Sequence, residues 1–275
     1  MKGISLPILD FDKIDTWYPK IHSIAQCLFS QRDIEEASRM DFEYIEDAAD
    51  YFASKLSYSE ITNILIEKLS DCEVRFFHGT RLTPEDAKRI HEIGLTPLLT
   101  SERYERLAAI FSKHERWMQV SHRLKPILEE LGPKELAGVR EDGCVHACLS
   151  RVGLLRGCNH YIEFGAEVDQ HAAHRLFGDN SGYQLLKSER QPALIQFTKP
   201  FSDAIGAMNP FGLPDDCFSS LPGTFFTSWA FRLSDASYEP SQLRSGAAAR
   251  FKGAILANQI EKFEWISDND LSSES

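Results

Sequence analysis

The sequence predicts an α+β fold, a mixed-sheet domain preceded by a helical N-terminal extension. Three observations carry that expectation. Up to residue 70 the apolar residues recur three or four apart, the spacing of a buried helix face. From Val74 onward short strand patterns interleave with helical ones. No Gly/Ser-rich linker separates the two stretches, and no internal repeat organises them, so one compact body is expected.

In the first part, "DFEYIEDAADYFASKLS" and "SEITNILIEKLSDC" read as amphipathic helices, with Ser57 or Ser59 available as a cap for the second. A strand follows at 74–78. Thr83, Pro84, Glu85 and Asp86 then supply an N-cap, a proline at the first helical position and two carboxylates at the positive end of the dipole. That helix ends at Gly94, and Pro97 discourages its continuation. Helical sequence runs from 101 to about 131, and "CVHACLS" at 144–150 reads as a strand. "NHYIEF" reads as a further strand, 165–177 as a helix, and "ALIQFT" and "TFFTSWAFRL" as strands. A last strand pair falls within "FKGAILANQIEKFEWI", and the acidic, serine-rich residues 269–275 form a disordered tail.

The chain has 275 residues and a formal net charge of −11, enough apolar sequence for a core and no global electrostatic signature of a nucleic-acid binder. Its first thirty residues show no leader pattern, and no apolar run is long enough to span a bilayer. A cytoplasmic protein with no membrane partner is therefore expected. Six cysteines are too sparse for a disulfide scaffold.

"VRFFHGTRLTPEDAKRIHEIGLTPL", residues 74–98, places His78 and Gly79 where a buried strand is expected to end and before a helix begins. Backbone amides and one polar side chain can face a ligand crevice at such a point, and glycine lets a flat group approach the backbone closely. A turn glycine beside a satisfied strand-end histidine is the structural alternative.

Phe77-His78-Gly79-Thr80, with its helix and the closing "IGLTPL", resembles the first motif of the ADP-ribosyltransferase fold, in its His-Tyr-Glu branch of diphtheria-toxin-like and poly-ADP-ribose-polymerase-like enzymes. "GCVHACLSRVGLLRGCNHYIEFGAEV" is similar in layout to bacterial toxin-like members, in which a Tyr-containing segment ends in Gly-x-Glu. The resemblance implies a split mixed β-sheet over residues 71–268, with 1–70 as the helical segment packed on it. It also implies NAD+ as co-substrate, cleavage of the nicotinamide–ribose bond, and transfer of ADP-ribose to a macromolecular acceptor, protein or nucleic acid. Carried onto this chain, His78 hydrogen-bonds a ribose and the Gly79 backbone holds the carboxamide, with Thr80 beside it. Arg81 meets the pyrophosphate, Tyr161 stacks on the nicotinamide, and Glu167 bonds the ribose 2′-hydroxyl or orients the acceptor. A carboxylate suits that chemistry because bond cleavage develops oxocarbenium-like charge on the ribose. Toxin–antitoxin or antiviral-defence membership, with an antitoxin or immunity protein as partner, is the biological setting the resemblance implies.

The carboxylate assignment stays open at this stage. If "HYIEF" is extended, Tyr161 and Glu163 share a face, while Gly165 re-aims the chain so that Glu167 opens the next helix. Glu239, before Pro240, and Glu261, in "NQIEKFEW", are later candidates. Two other functions compete: an RNA 2′-phosphotransferase-like enzyme, which also uses NAD+ and adds Arg and His phosphate ligands, and an inactive member of the fold serving as a binding module.

Cys144, His146 and Cys148 alternate in a predicted strand, with Cys158 and His160 ten residues on. The spacing is not that of a zinc knuckle, so buried cysteines and no metal are expected. His171 and His174 lie on one helix face and read as a surface or interface feature. A nucleic-acid acceptor would call for a basic, aromatic groove. The places to find one are Arg75, Phe76, Phe77 and Arg81, and the segment holding Arg103, Arg106, Lys113, Arg116, Trp117, Arg123 and Lys125.

Overall fold

A computed structural model describes residues 6–97, 100–131, 143–156, 160–208, 220–240 and 247–267. The predicted tail at 269–275 and Cys158 lie outside the described residues. The chain is mixed α/β. A two-residue strand β1 (Ile8–Leu9) is followed by α1 (Ile14–Leu28), α2 (Gln31–Ala37), α3 (Ile45–Ala53) and α4 (Tyr58–Leu69). Then come β2 (Glu73–Leu82), α5 (Pro84–Ile93), α6 (Thr100–Phe111), α7 (Trp117–Val120), α8 (Leu124–Glu130) and β3 (Cys144–Cys148). The remainder comprises α9 (Arg151–Arg156), α10 (His160–Phe164), α11 (Glu167–Phe177), α12 (Ser181–Glu189), β4 (Gln191–Pro200), α13 (Phe201–Met208), α14 (Leu221–Ser234), β5 (Ala248–Lys252) and β6 (Ile260–Trp265). The strands form an open sheet in the order β5-β3-β2-β4-β6, with β1 parallel on β2 and β4 antiparallel to β6.

Caps fix several helix starts as the sequence predicts. Ser57 and Thr83 each close a capping box, with Glu60 and Asp86, and Pro84 occupies the first turn of α5. Gly94 ends α5 at φ +90, where a Cβ would lie 2.8 Å from the Ala257 backbone nitrogen, so the position demands glycine.

The chain divides into two compact units. One comprises Met1–Phe76, Cys148–Gly153 and Thr198–Arg250. Its core is aromatic: Phe225 meets Phe11 edge-on at 5.5 Å and Trp17 at 5.4 Å, while Trp229 lies 5.1 Å from Phe52. The other comprises Phe77–Ala147, Leu154–Phe197 and Phe251–Ser275. There α6, α8, α11 and α12 enclose Leu107, Phe111, Leu128, Leu176, Phe177 and Leu186.

Four elements depart from the sequence expectation, the first being β1, a short strand inside the stretch read as helical. "TFFTSWAFRL" is not a strand: it lies in α14, capped by Ser220 and started by Pro222. Residues 221–230 are buried in succession, so the helix has no polar face and its sequence shows no 3.6-residue period to distinguish it from a buried strand. "NHYIEF" is not a strand either, since His160–Phe164 form α10. The strand expected at 74–78 extends to Leu82, so the His-Gly-Thr-Arg stretch lies within β2 and makes no turn.

Arg81 explains the last two departures. Its side chain is 3 % exposed, and its guanidinium donates to carbonyls of Ile162 (3.4 Å), Glu163 (3.0 Å), Lys187 (2.9 Å) and Arg190 (3.2 and 2.9 Å). These oxygens belong to the last turns of α10 and α12 and the residue after α12, groups that have no partner within their own helices. One buried cation from β2 thus terminates two helices. Two residues earlier on the same strand face, a Cβ on Gly79 would overlap Ile162 Cγ1 and come within 3.2 Å of Leu154 Cδ2.

Gly79→Ala is therefore expected to destabilise the chain by about 1–3 kcal/mol through overpacking. In an Ile162→Ala background most of that added cost should vanish. Urea-denaturation midpoints of the four chains of this double-mutant cycle measure it, and additive costs would show that Ile162 is not what Gly79 accommodates.

Candidate functional site

Strand alternation sorts the first motif onto two faces. Phe77, Gly79 and Arg81 are buried, while His78 and Thr80 between them are half-exposed. Gly79 and Arg81 face α10, so the imidazole of His78 projects from the opposite face of β2. His78 Nδ1 lies 2.6 Å from the carbonyl oxygen of His146 in β3. Because a carbonyl only accepts, Nδ1 carries the proton and Nε2 keeps its lone pair. Desolvation of the ring by its neighbours lowers the His78 pKa from its ordinary value, against the opposing pull of the His146 bond. The ring is therefore neutral near pH 7, and it ties β2 to β3.

The motif's other members are also occupied. The Gly79 face is filled by Ile162 and Leu154 of this chain. Arg81, expected at a pyrophosphate, spends its guanidinium on the carbonyls that end α10 and α12. In the structure these two residues serve packing and the helix ends.

The structure does join Tyr161 and Glu167. The Tyr161 hydroxyl donates to Glu167 Oε1 at 3.1 Å. Gly165 allows this: at φ +84 it ends α10, its N–H bonding the Tyr161 carbonyl at 3.0 Å, and Glu167 then opens α11 as the sequence predicts. His160 Nε2 stands 3.5 Å from the same Oε1, and its ring centroid is 4.0 Å from that of Tyr161. A phenol and an imidazole thus converge on one carboxylate oxygen. His160 was reached by sequence only as a neighbour of Cys158, because a strand reading of 159–164 gives it no relation to Glu167.

The competing carboxylates are elsewhere. Since residues 160–164 are helical, Tyr161 and Glu163 do not share a face, and Glu163 pairs with Lys187 at 3.6 Å. Glu239 pairs with Arg232 at 3.7 Å, and Glu261 accepts from Gln196 at 3.0 Å.

The basic segment is likewise committed. Arg103 meets Asp169, Arg106 meets Asp86, Lys113 meets Glu189, Arg116 meets Asp179, and Lys125 meets Glu129, while Arg123 donates to the Arg175 carbonyl. Arg75 pairs with Asp10, and Phe76 and Phe77 are buried. His171 and His174 are exposed. Among the described residues, no three His, Cys, Asp or Glu side chains converge as metal ligands, and no helix is long and apolar enough to cross a membrane.

Behind the site, Asp169 on the first turn of α11 is 1 % exposed and bonds Arg190 at 2.7 Å, with Arg103 at 3.4 Å. Burial opposes its ionisation, but Arg190, Arg103 and Arg106 outweigh burial and hold its pKa below the ordinary aspartate value. This ion pair anchors the helix that carries Glu167.

No protein-family model, curated protein or solved structure matches the chain. The site therefore rests on its own geometry.

Asp169 yields a prediction with a definite sign. A depressed folded-state pKa contributes stability above the unfolded value of about 3.9 and loses it as pH falls toward the folded value. Wild-type thermal midpoints should drop through that acid range. Asp169→Asn should be destabilised at pH 7 by about 3–5 kcal/mol, because it strands buried arginines, and should show a flatter acid limb. Equal acid slopes in the two chains would remove Asp169 from this role.

Proposed function

We propose that the chain is an NAD+-dependent ADP-ribosyltransferase acting on a macromolecule, with Tyr161 and Glu167 as the residues that meet the reacting ribose and nicotinamide. One observation carries this reading: the 3.1 Å hydrogen bond that holds an aromatic ring and a carboxylate as one unit. Each of those two groups can assist cleavage of the nicotinamide–ribose bond. The ring offers a face to the pyridinium, and the carboxylate stabilises positive charge that grows on the ribose as the bond breaks. The likeness of the His-Gly and Tyr…Glu segments to the His-Tyr-Glu transferases supports it from the sequence side. A bacterial toxin or defence effector, neutralised by an antitoxin or immunity protein, is the setting that goes with it.

A second reading has its own observation. His78 projects from the strand face opposite α10, and Ile162 fills the face of Gly79, which favours a transferase-like fold used for binding without catalysis. The 2′-phosphotransferase alternative gains less, because the arginines named here are paired with carboxylates or helix ends.

Nicotinamide release from NAD+ by the purified chain, with and without cell extract, separates the readings. Glu167→Gln, and Tyr161→Ala, which removes the ring, should each lower kcat by about 100-fold or more, the scale of a lost transition-state contact, while Tyr161→Phe, which keeps the ring, should cost less. His78→Ala should lower the melting temperature and leave kcat within about threefold, as expected for a residue that binds β3. No release and no NAD+ binding by wild type would leave the binding-module reading. A His78→Ala chain of wild-type stability without activity would instead put His78 back on the cofactor.

A further inference from the structure

We propose that His160 is the proton relay of this site, carrying to solvent the proton that the ADP-ribose acceptor gives up; the proposal rests on the transfer reading above. Three observations support it. His160 Nε2 lies 3.5 Å from Glu167 Oε1, the oxygen that already accepts the Tyr161 hydroxyl. Its ring packs on Tyr161 at 4.0 Å, so it is held beside that oxygen on the same short helix. And its side chain is 45 % exposed against 33 % for Glu167, so the imidazole is the member of the pair more open to water.

The chemistry calls for such a group. When the ribose C1′–nitrogen bond breaks, its electron pair leaves with the pyridinium nitrogen and nicotinamide departs neutral, needing no proton. The acceptor's O–H or N–H forms the new bond to C1′ and must lose one. Glu167 takes it, becoming a neutral acid that no longer stabilises positive charge on the next ribose. Turnover therefore requires discharge of the carboxyl. An imidazole, with an ordinary pKa of about 6.5, accepts the proton at Nε2 to become imidazolium and then gives a proton to water, returning to the neutral ring with Nε2 free for the next turnover, while a phenol with an ordinary pKa of about 10 is poorly suited to that exit.

The test uses the full chain with NAD+ and water as the acceptor, since water also surrenders a proton. Three variants divide the possibilities: His160→Ala, His160→Phe, which keeps a ring on Tyr161 without a nitrogen, and His160→Gln, which keeps a hydrogen-bonding group without proton transfer. All three should lose about 10- to 100-fold in kcat with KM within about threefold, at unchanged melting temperature for His160→Phe. Added imidazole should restore kcat to His160→Ala and not to Glu167→Gln. Full activity in His160→Phe or His160→Gln, or a slow His160→Ala indifferent to imidazole, overturns the relay while wild-type turnover keeps the transfer reading. A wild-type chain that releases no nicotinamide overturns both.

Discussion

One buried guanidinium sets the geometry of the candidate site. Arg81 leaves β2 and donates to the carbonyls that close α10 and α12, including that of Arg190 at the entry to β4. Helix ends expose unsatisfied carbonyls and the negative end of a dipole, and a planar cation with several donors answers both. A five-residue helix such as α10 does not hold its shape by its own hydrogen bonds. It persists because its end is pinned from the sheet, and the pin fixes where Tyr161 sits.

A second ionic contact completes the frame. Asp169 and Arg190, buried and 2.7 Å apart, join the first turn of α11 to the residue preceding β4. Arg190 therefore serves both devices: its carbonyl accepts from Arg81 and its guanidinium holds Asp169. Burying charges costs several kcal/mol per ion unless they are paired, so these contacts tolerate little displacement. Glu167 lies two residues before Asp169 and Tyr161 one residue before Ile162, so each sits close to a held neighbour.

The capped helices were legible in the sequence because capping is local: Thr83, Pro84, Asp86 and Gly94 announce α5 without reference to anything else in the chain. Glu167 as the opening residue of α11 was legible for the same reason, through Gly165. What could not be read depended on distant partners. Nothing within "NHYIEF" reveals that Arg81, about eighty residues earlier, supplies the cap that makes it helical, and β-favouring Tyr and Ile point the other way. In α14 the signal was lost differently, since a helix buried on every side has no polar stripe to betray its period. His160 followed from the first failure, because its relation to Glu167 exists only once α10 is a helix.

The pairing of His78 with Gly79 shows why a short motif underdetermines chemistry. A glycine next to a functional side chain is equally consistent with a ligand lying against the backbone and with a neighbouring side chain doing so, because both need the Cβ to be missing. The space in question is taken by Ile162. With that face of the strand filled, alternation turns His78 toward β3, where desolvation keeps its ring neutral and the His146 carbonyl fixes its tautomer. The helix that fills the glycine's place is also the one that brings His160 and Tyr161 to Glu167.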